Sequence, residues 1–426
     1  MSGRRELKIV LGLTACGLLL RVAWVLLIDR DSFAFNDPLF YHWSASRLAA
    51  GHGYVDFDFS PTARWPPVYS FLLSLVYRIF GSEPTHGEVF NALVGTASVP
   101  LVYALARQAF GRSEAVIAAG FVAVMPGQIM YTDILLAETL FAVELLVVFL
   151  LVAKLSPERR WVPLLIGVAI GVAALTRGEG LLLLVVPLAV WWRELPRRQL
   201  VARVGVVGIG LVLTLTPWVI RNYSQFDRLV VLGANGGTTF WAGHNPRANG
   251  GPTYAPSSLL RQAGPPGEEN IEFKQESLLR DEALEFMVEN PRRELELIPL
   301  KLFHLNRSDS AAIDIWLNSQ APGEKPAVGY NGKILLSVVL DFFYYALLAL
   351  TIGSVLLLGP LLWRNRLTRG VLALFAVSLV FYGFVFYGNF RYRAPLEPLM
   401  ILVAAPLLAR LWRLRAEARR EPAPAS

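Results

Sequence analysis

Asp37 and Glu138, with Arg177, Arg391 and Arg393, are the residues of this chain whose types and positions could carry chemistry. Each stands beside or within a long apolar run, where a charge is costly and survives mainly with a partner or a task. A carboxylate there can take a proton from a hydroxyl or an amine. Guanidinium groups can hold phosphate oxygens in fork geometry. Plainer readings stand beside these. Asp37 sits in Phe35-Asn36-Asp37-Pro38, and Asp ahead of a proline is a good helix N-cap. Glu138 and the deeper Glu144 can be structural groups inside a bundle, and Arg177 can pair with Glu179. Arg391 and Arg393 can anchor a span end at the headgroups, and Asp133 reads as an exposed cap or turn residue. A divalent cation between His42, His52 and Asp37 is the one metal arrangement on offer, but two histidines so spaced in a loop are weak evidence, so no metal ligand is assigned and metal dependence stays open. Trp43, Trp65 and Tyr69 read as anchors at a membrane interface.

The elements that must position these groups follow from composition. Of 426 residues, 54% are apolar and 17% charged, which is far too apolar for a soluble globule of this size. Mean hydropathy is +0.46. Apolar runs at 9–28, 89–106, 115–130, 134–153, 161–176, 181–192, 204–220, 334–362, 371–386 and 394–411 are candidate spans of an all-α integral membrane bundle. About ten spans are expected, in a range of 9–11, because 115–130 and 181–192 are short for a bilayer of about 30 Å. Cys16 is the only cysteine, which excludes an internal disulfide and a cysteine metal site. The net charge of +7 is spread over short loops, so no nucleic-acid partner is expected. No P-loop, nucleophile elbow or fixed-period repeat is present.

Charge sets the orientation. With the N-terminus inside, the short loops carry Arg4, Arg5 and Lys8; Arg107 and Arg112; Lys154, Arg159 and Arg160; Arg193, Arg197, Arg198 and Arg203; Arg364, Arg366 and Arg369. The last group is Arg410, Arg413, Arg415, Arg419 and Arg420. Residues 1–412 then read as one polytopic domain with extracytoplasmic loops and amphipathic helices at 29–88 and 221–333, and 413–426 as a basic cytoplasmic tail. The first run lacks a cleavage site and reads as an anchor. Its Arg21 would cost about 3 kcal/mol facing lipid at depth, so it should snorkel or face a polar cavity.

Several motifs resemble one family. They are the acidic Asp37 after the first span, the helix Tyr41-His42 to Gly51-His52-Gly53-Tyr54, and Pro61-Thr62-Ala63-Arg64-Trp65-Pro66-Pro67-Val68-Tyr69. Asp133 to Phe141, Leu175-Thr176-Arg177-Gly178-Glu179-Gly180, Gly243-His244-Asn245-Pro246 and Arg391-Tyr392-Arg393-Ala394-Pro395 continue the series. In their order and topology these are similar to membrane glycosyltransferases of family 39 and the ArnT-like group, within the GT-C superfamily. The resemblance implies a multi-pass GT-C bundle that moves a sugar, with inversion, from a polyprenyl-phosphate donor to a lipid, glycan or protein acceptor on the extracytoplasmic face of the plasma (inner) membrane. It implies Asp37 as the base with Glu138 as the second catalytic candidate. Arg177, Arg391, Arg393, His42 and Asp133 would meet the substrates. The pair Asn36-Asp37 stands where protein mannosyltransferases show Asp-Glu, so the acceptor class stays open. No cofactor is firmly expected. The rival reading is a transporter or flippase of a lipid-linked or polar substrate, which Glu144 favours.

Overall fold

Residues 3–28, 33, 36–155, 157–159, 161–265, 268, 270–313 and 328–418 are described by a computed structural model. Each of the ten apolar stretches contains helix. Helix α1 (Gly3–Leu27) is followed by two helices of the first long loop, α2 (Asn36–Ala49) and α3 (Val68–Phe80). The pair α4 (Pro84–Thr96) and α5 (Ser98–Ala109) forms one continuous span, Pro84–Ala109. Next come α6 (Arg112–Val124), α7 (Pro126–Met130), α8 (Glu138–Lys154), α9 (Trp161–Thr176), α10 (Val185–Trp191) and α11 (Arg197–Phe226). The second long loop holds α12 (Gly236–Gly243), α13 (Ser257–Leu260), α14 (Ile271–Glu289) and α15 (Pro291–Leu305). The chain returns through α16 (Tyr330–Arg364) and α17 (Arg366–Phe384), a single turn α18 (Phe390–Arg393) and α19 (Glu397–Ala418). One isolated bridge, Val55 to Pro61, is the β structure among the described residues.

Among the described residues six helices are long and apolar enough to cross a membrane, or seven if the bent pair α6–α7 counts as one. The remaining stretches are the shorter α8, of 17 residues, α9, of 16, and a 3-10 turn Gly178–Leu184 that runs into α10. Helix α19 continues to Ala418, so the first residues of the expected tail are helical. Arg160, Arg419 and Arg420 lie outside the described residues.

The break between α6 and α7 has a sequence cause. Met125 precedes Pro126 and is driven into extended backbone, and the two helices bend by 47°. That leaves the last carbonyls of α6 without intrahelical donors. Arg21 supplies them. Its Nη1 donates to the carbonyls of Gly17 at 3.0 Å and Ala123 at 3.3 Å, and its Nη2 to Val122 at 3.2 Å. Arg21 therefore neither snorkels nor faces a cavity: it is fully buried and ties α1 to the broken span.

The bundle has two chemically distinct ends. At one, Glu6 of α1 accepts from Arg107 at 3.0 Å and from Tyr103, while Arg413 pairs with Glu114. Arg366 pairs with Glu194 at 3.3 Å, Arg203 donates to the carbonyl of Glu158 at 3.1 Å, and Gln108 to that of Ala153 at 2.7 Å. These are the helix ends at which the basic short loops fall. The opposite end carries the two long loops, and these are tied together. Glu272 of α14 accepts from the Thr62 hydroxyl at 2.7 Å and the Ala63 amide at 2.9 Å, and Arg221 donates to the carbonyls of Thr62 and Tyr54. Tyr69, read as an interface anchor, is instead fully buried and donates to Asn91, which in turn donates to the carbonyl of Ile134. Trp65 packs its ring 4.1 Å from that of Phe40, and Trp43 donates to the carbonyl of Asp56.

Candidate active site

Four elements converge at the loop end. Helix α2 begins at Asn36, one residue before Asp37, so Asp37 lies in the first turn rather than ahead of it. Its Oδ2 accepts from Nη1 of Arg391 at 3.0 Å. Arg391 stands on α18, which starts there because the Asn389 side chain accepts from the Arg391 amide. The same guanidinium reaches Oε1 of Glu138 with both Nε and Nη2 at 2.8 Å. Glu138 opens α8, where the helix N-terminus favours a carboxylate. Its Oε1 is also met by Nη1 of Arg177 at 2.8 Å, and Arg177 Nη2 donates to Glu179 at 2.9 Å. Arg177 is held at this point by extended backbone between the end of α9 and the following 3-10 turn.

The result is a continuous chain, Asp37–Arg391–Glu138–Arg177–Glu179. Access differs along it: the Asp37 side chain is 30% exposed, while that of Glu138 is 2% exposed. Glu138 Oε1 serves two guanidiniums, and its buried Oε2 accepts no hydrogen bond among the described residues. Aromatic rings line the Arg177 side. Arg177 lies 5.6 Å from the centre of the Tyr392 ring, which stacks at 5.0 Å on Tyr382 and meets Tyr387 at 5.3 Å. Three carboxylates against two guanidiniums make the free chain acidic on balance, so an entering anion must take donors from a carboxylate.

Arg393, two residues from Arg391, is elsewhere. It bonds Asp309 at 3.0 Å and Glu397, donates to the carbonyl of Arg307, and lies 3.6 Å from the centre of the Tyr344 ring. Asp133 is buried in the 3-10 turn Tyr131–Asp133, not an exposed cap. His42 pairs its Nδ1 with the Tyr77 hydroxyl at 2.9 Å, and burial lowers its pKa. Among the described residues no group of three His, Cys, Asp or Glu is arranged to hold a metal ion. Glu144, the residue that favoured transport, accepts from the Thr176 hydroxyl at 2.8 Å, a bond between α8 and α9. The contributions of Asp309 and Glu397 went unread in the sequence. Glu397 had a signal, since it lies four residues after Arg393, a pairing distance on a helix.

Residues 64–220 match the family described as dolichyl-phosphate-mannose-protein mannosyltransferase. No curated protein matches the chain at a significant level. Among solved structures, the apo oligosaccharyltransferase of Archaeoglobus fulgidus aligns over 100% of this chain and 53% of its own, at 16% identity and a TM-score of 0.56. The same organism's oligosaccharyltransferase AglB, in complex with an inhibitory peptide and a dolichol-phosphate, aligns over 99% and 52%, at 15% identity and a TM-score of 0.51. ArnT from Cupriavidus metallidurans bound to undecaprenyl phosphate aligns over 97% and 81%, at 16% identity and a TM-score of 0.44. The chain thus spans about half the length of the oligosaccharyltransferase structures it matches. At such identities the likeness is one of fold. The matched stretch and the shared helical frame together bear out the resemblance to the GT-C membrane glycosyltransferases that the motifs carried.

Proposed function

We propose that the chain transfers a sugar from a polyprenyl-phosphate donor to a hydroxyl or amine acceptor, with inversion, at the loop end of its bundle. The observation that carries this reading is the ion-pair chain in which one partly exposed carboxylate, Asp37, is joined to a guanidinium pair organised on Glu138. A sugar bound through phosphate needs stabilisation of the leaving charge more than a proton, and guanidiniums supply it. Asp37 takes the proton of the acceptor. The acceptor oxygen or nitrogen bonds to the anomeric carbon, and the bond from that carbon to the phosphate oxygen breaks with its electron pair on the phosphate. Arg391 and Arg177 hold the departing charge, and Glu138 holds the two guanidiniums in place.

The pair Asp37–Arg391 gives the order of events. Donor phosphate competes with Asp37 for Nη1 of Arg391, so binding the donor releases the base that the acceptor needs. Asp133, Arg393 and His42, placed on substrate by the resemblance, serve in this reading as support for the elements around the chain. The loop end faces away from the cytoplasm and both termini face it, because the basic short loops gather at the other end. The membrane is the plasma (inner) membrane. A lipid carrier suits that side, and the matched oligosaccharyltransferase is recorded with a dolichol-phosphate and a peptide.

The test is a panel of radiolabelled polyprenyl-phosphate sugars presented to the purified protein in lipid vesicles, with release of sugar from the carrier as readout. Turnover of one donor supports the reading. Inertness toward every donor, together with movement of a labelled lipid across the bilayer, would favour the transport reading instead.

A further inference from the structure

The motif Gly243-His244-Asn245-Pro246 takes no part in the ion-pair chain, yet its histidine is fully buried in a second polar cluster. His244 Nδ1 lies 2.7 Å from Oε2 of Glu294 on α15. Its Nε2 lies 3.1 Å from the carbonyl oxygen of Val385 and 3.2 Å from Nζ of Lys301, itself fully buried. Lys301 stands 3.9 Å from the same Glu294 oxygen. The ring thus meets Glu294 through Nδ1, and the Val385 carbonyl and the Lys301 amine through Nε2. Removing three ionisable groups from water is expensive, and well-packed apolar residues would serve stability at least as well. Burial already pushes the Lys301 amine down to about 8.

What the cluster joins is informative. Val385 ends α17, and the next residues lead directly into α18 and Arg391. This short segment is clasped from both sides by the second long loop. The Gly388 amide donates to the carbonyl of Gly250 at 2.8 Å. A Cβ on Gly388 would come within 1.7 Å of the Lys301 carbonyl oxygen, and one on Gly243 within 2.6 Å of the Phe386 carbonyl oxygen. The backbones touch, so no side chain fits between them.

We infer that His244, Glu294 and Lys301 form a latch that fastens the second long loop onto residues 385–389 and thereby sets the position of Arg391. They are positioning residues: they act through Arg391, and this assignment rests on the role proposed above for that guanidinium. The latch itself does not depend on the reaction, because the contacts are those of the free protein.

The experiment compares Lys301→Met and Glu294→Gln with wild type, full chain in lipid vesicles, by hydrogen–deuterium exchange and by donor kinetics. Exchange of the amides at 385–393 should rise by about tenfold while those of α8 and α9 stay within about twofold, as for local opening. Donor kcat/KM should fall by about tenfold, the scale of one misplaced charge-assisted bond. Added to Arg391→Ala, either substitution should cost nothing further, since coupled residues are not additive. Unchanged exchange at 385–393, or a full additive loss on top of Arg391→Ala, overturns the latch. If Lys301→Met fails to insert, Glu294→Gln, nearly isosteric, decides by the same measurements. If wild type turns over no donor, the proposed reaction fails while the exchange arm still decides the latch.

Discussion

Arg391 and Arg393 sit two residues apart on one helical turn, each bridging two carboxylates, and their surroundings are opposite. Two helical steps rotate a side chain by about 200°, so neighbours of this spacing face away from each other. Arg391 turns toward Asp37, whose side chain is 30% exposed. Arg393 turns into the bundle, where Asp309 is 1% and Glu397 0% exposed. Gln128 completes the buried group by donating to Glu397 at 2.8 Å. The same ion pair is therefore a structural clasp on one side of the turn and, in our reading, a working group on the other. Exposure of one partner carboxylate, Asp37, makes the difference, since Glu138 is nearly as buried as Asp309 and Glu397.

The contrast breaks most clearly in stability. Arg393→Ala leaves two buried carboxylates without their cation, which should cost about 3–5 kcal/mol. Thermal unfolding in detergent checks it, and Arg391→Ala should lose less, about 1–3 kcal/mol, because Asp37 is partly exposed and the buried Glu138 keeps Arg177. Equal losses for the two variants would erase the distinction. The Arg393→Ala loss should also shrink as pH falls. Burial already pushes the Asp309 carboxyl up, so in the folded state it gains a proton before its unfolded counterpart does, and folding is favoured as the pH drops through that raised value.

In activity the order reverses. Arg391→Ala should raise donor KM by about tenfold or more, the scale of a lost bond to a charged group, and Arg391→Lys should recover part of it. A wild-type KM for the alanine variant would leave Arg391 as a span-end anchor. The smallest effect is expected at His42, which stands on the same helix as Asp37 but pairs with Tyr77. Tyr77→Phe should cost about 1 kcal/mol of stability and leave donor turnover within about twofold. A large loss of turnover there would move His42 into the site.

The sequence made the helices legible because long apolar runs have few alternatives in a bilayer. It also placed Asp37, Glu138, Arg177 and Arg391 near helix ends, and the order of the motifs carried the resemblance. Which arginine faced which way was not readable. Pairing at Arg393 depends on Asp309, 84 residues away in the chain, and on the rotation of a single turn. The role of Arg21 is hidden from the sequence for a related reason. A helix break at Met125-Pro126 can be read from the proline, but the fact that its loose carbonyls lie beside α1 is a matter of tertiary packing. The burial of Tyr69 arises likewise from the first long loop folding down onto α4 rather than standing in the interface, and Asp133 lies in a 3-10 turn packed against that same helix.

The central claim is that Asp37 is a base that Arg391 surrenders when the donor binds, and Asp37→Asn tests it. Asparagine keeps the shape, and the charge it removes from the first turn of α2 is worth only about 0.3–1 kcal/mol there, so the variant should fold normally. It removes both the proton acceptor and the phosphate's competitor for Arg391. Donor binding and sugar transfer should be measured on the same preparation, by equilibrium binding of a labelled polyprenyl-phosphate sugar and by its rate of transfer. The variant should bind donor at least as tightly as wild type and transfer sugar more slowly by about 10²–10⁴-fold. Near-normal transfer by the asparagine variant would contradict it and leave Asp37 as the first-turn partner of an arginine.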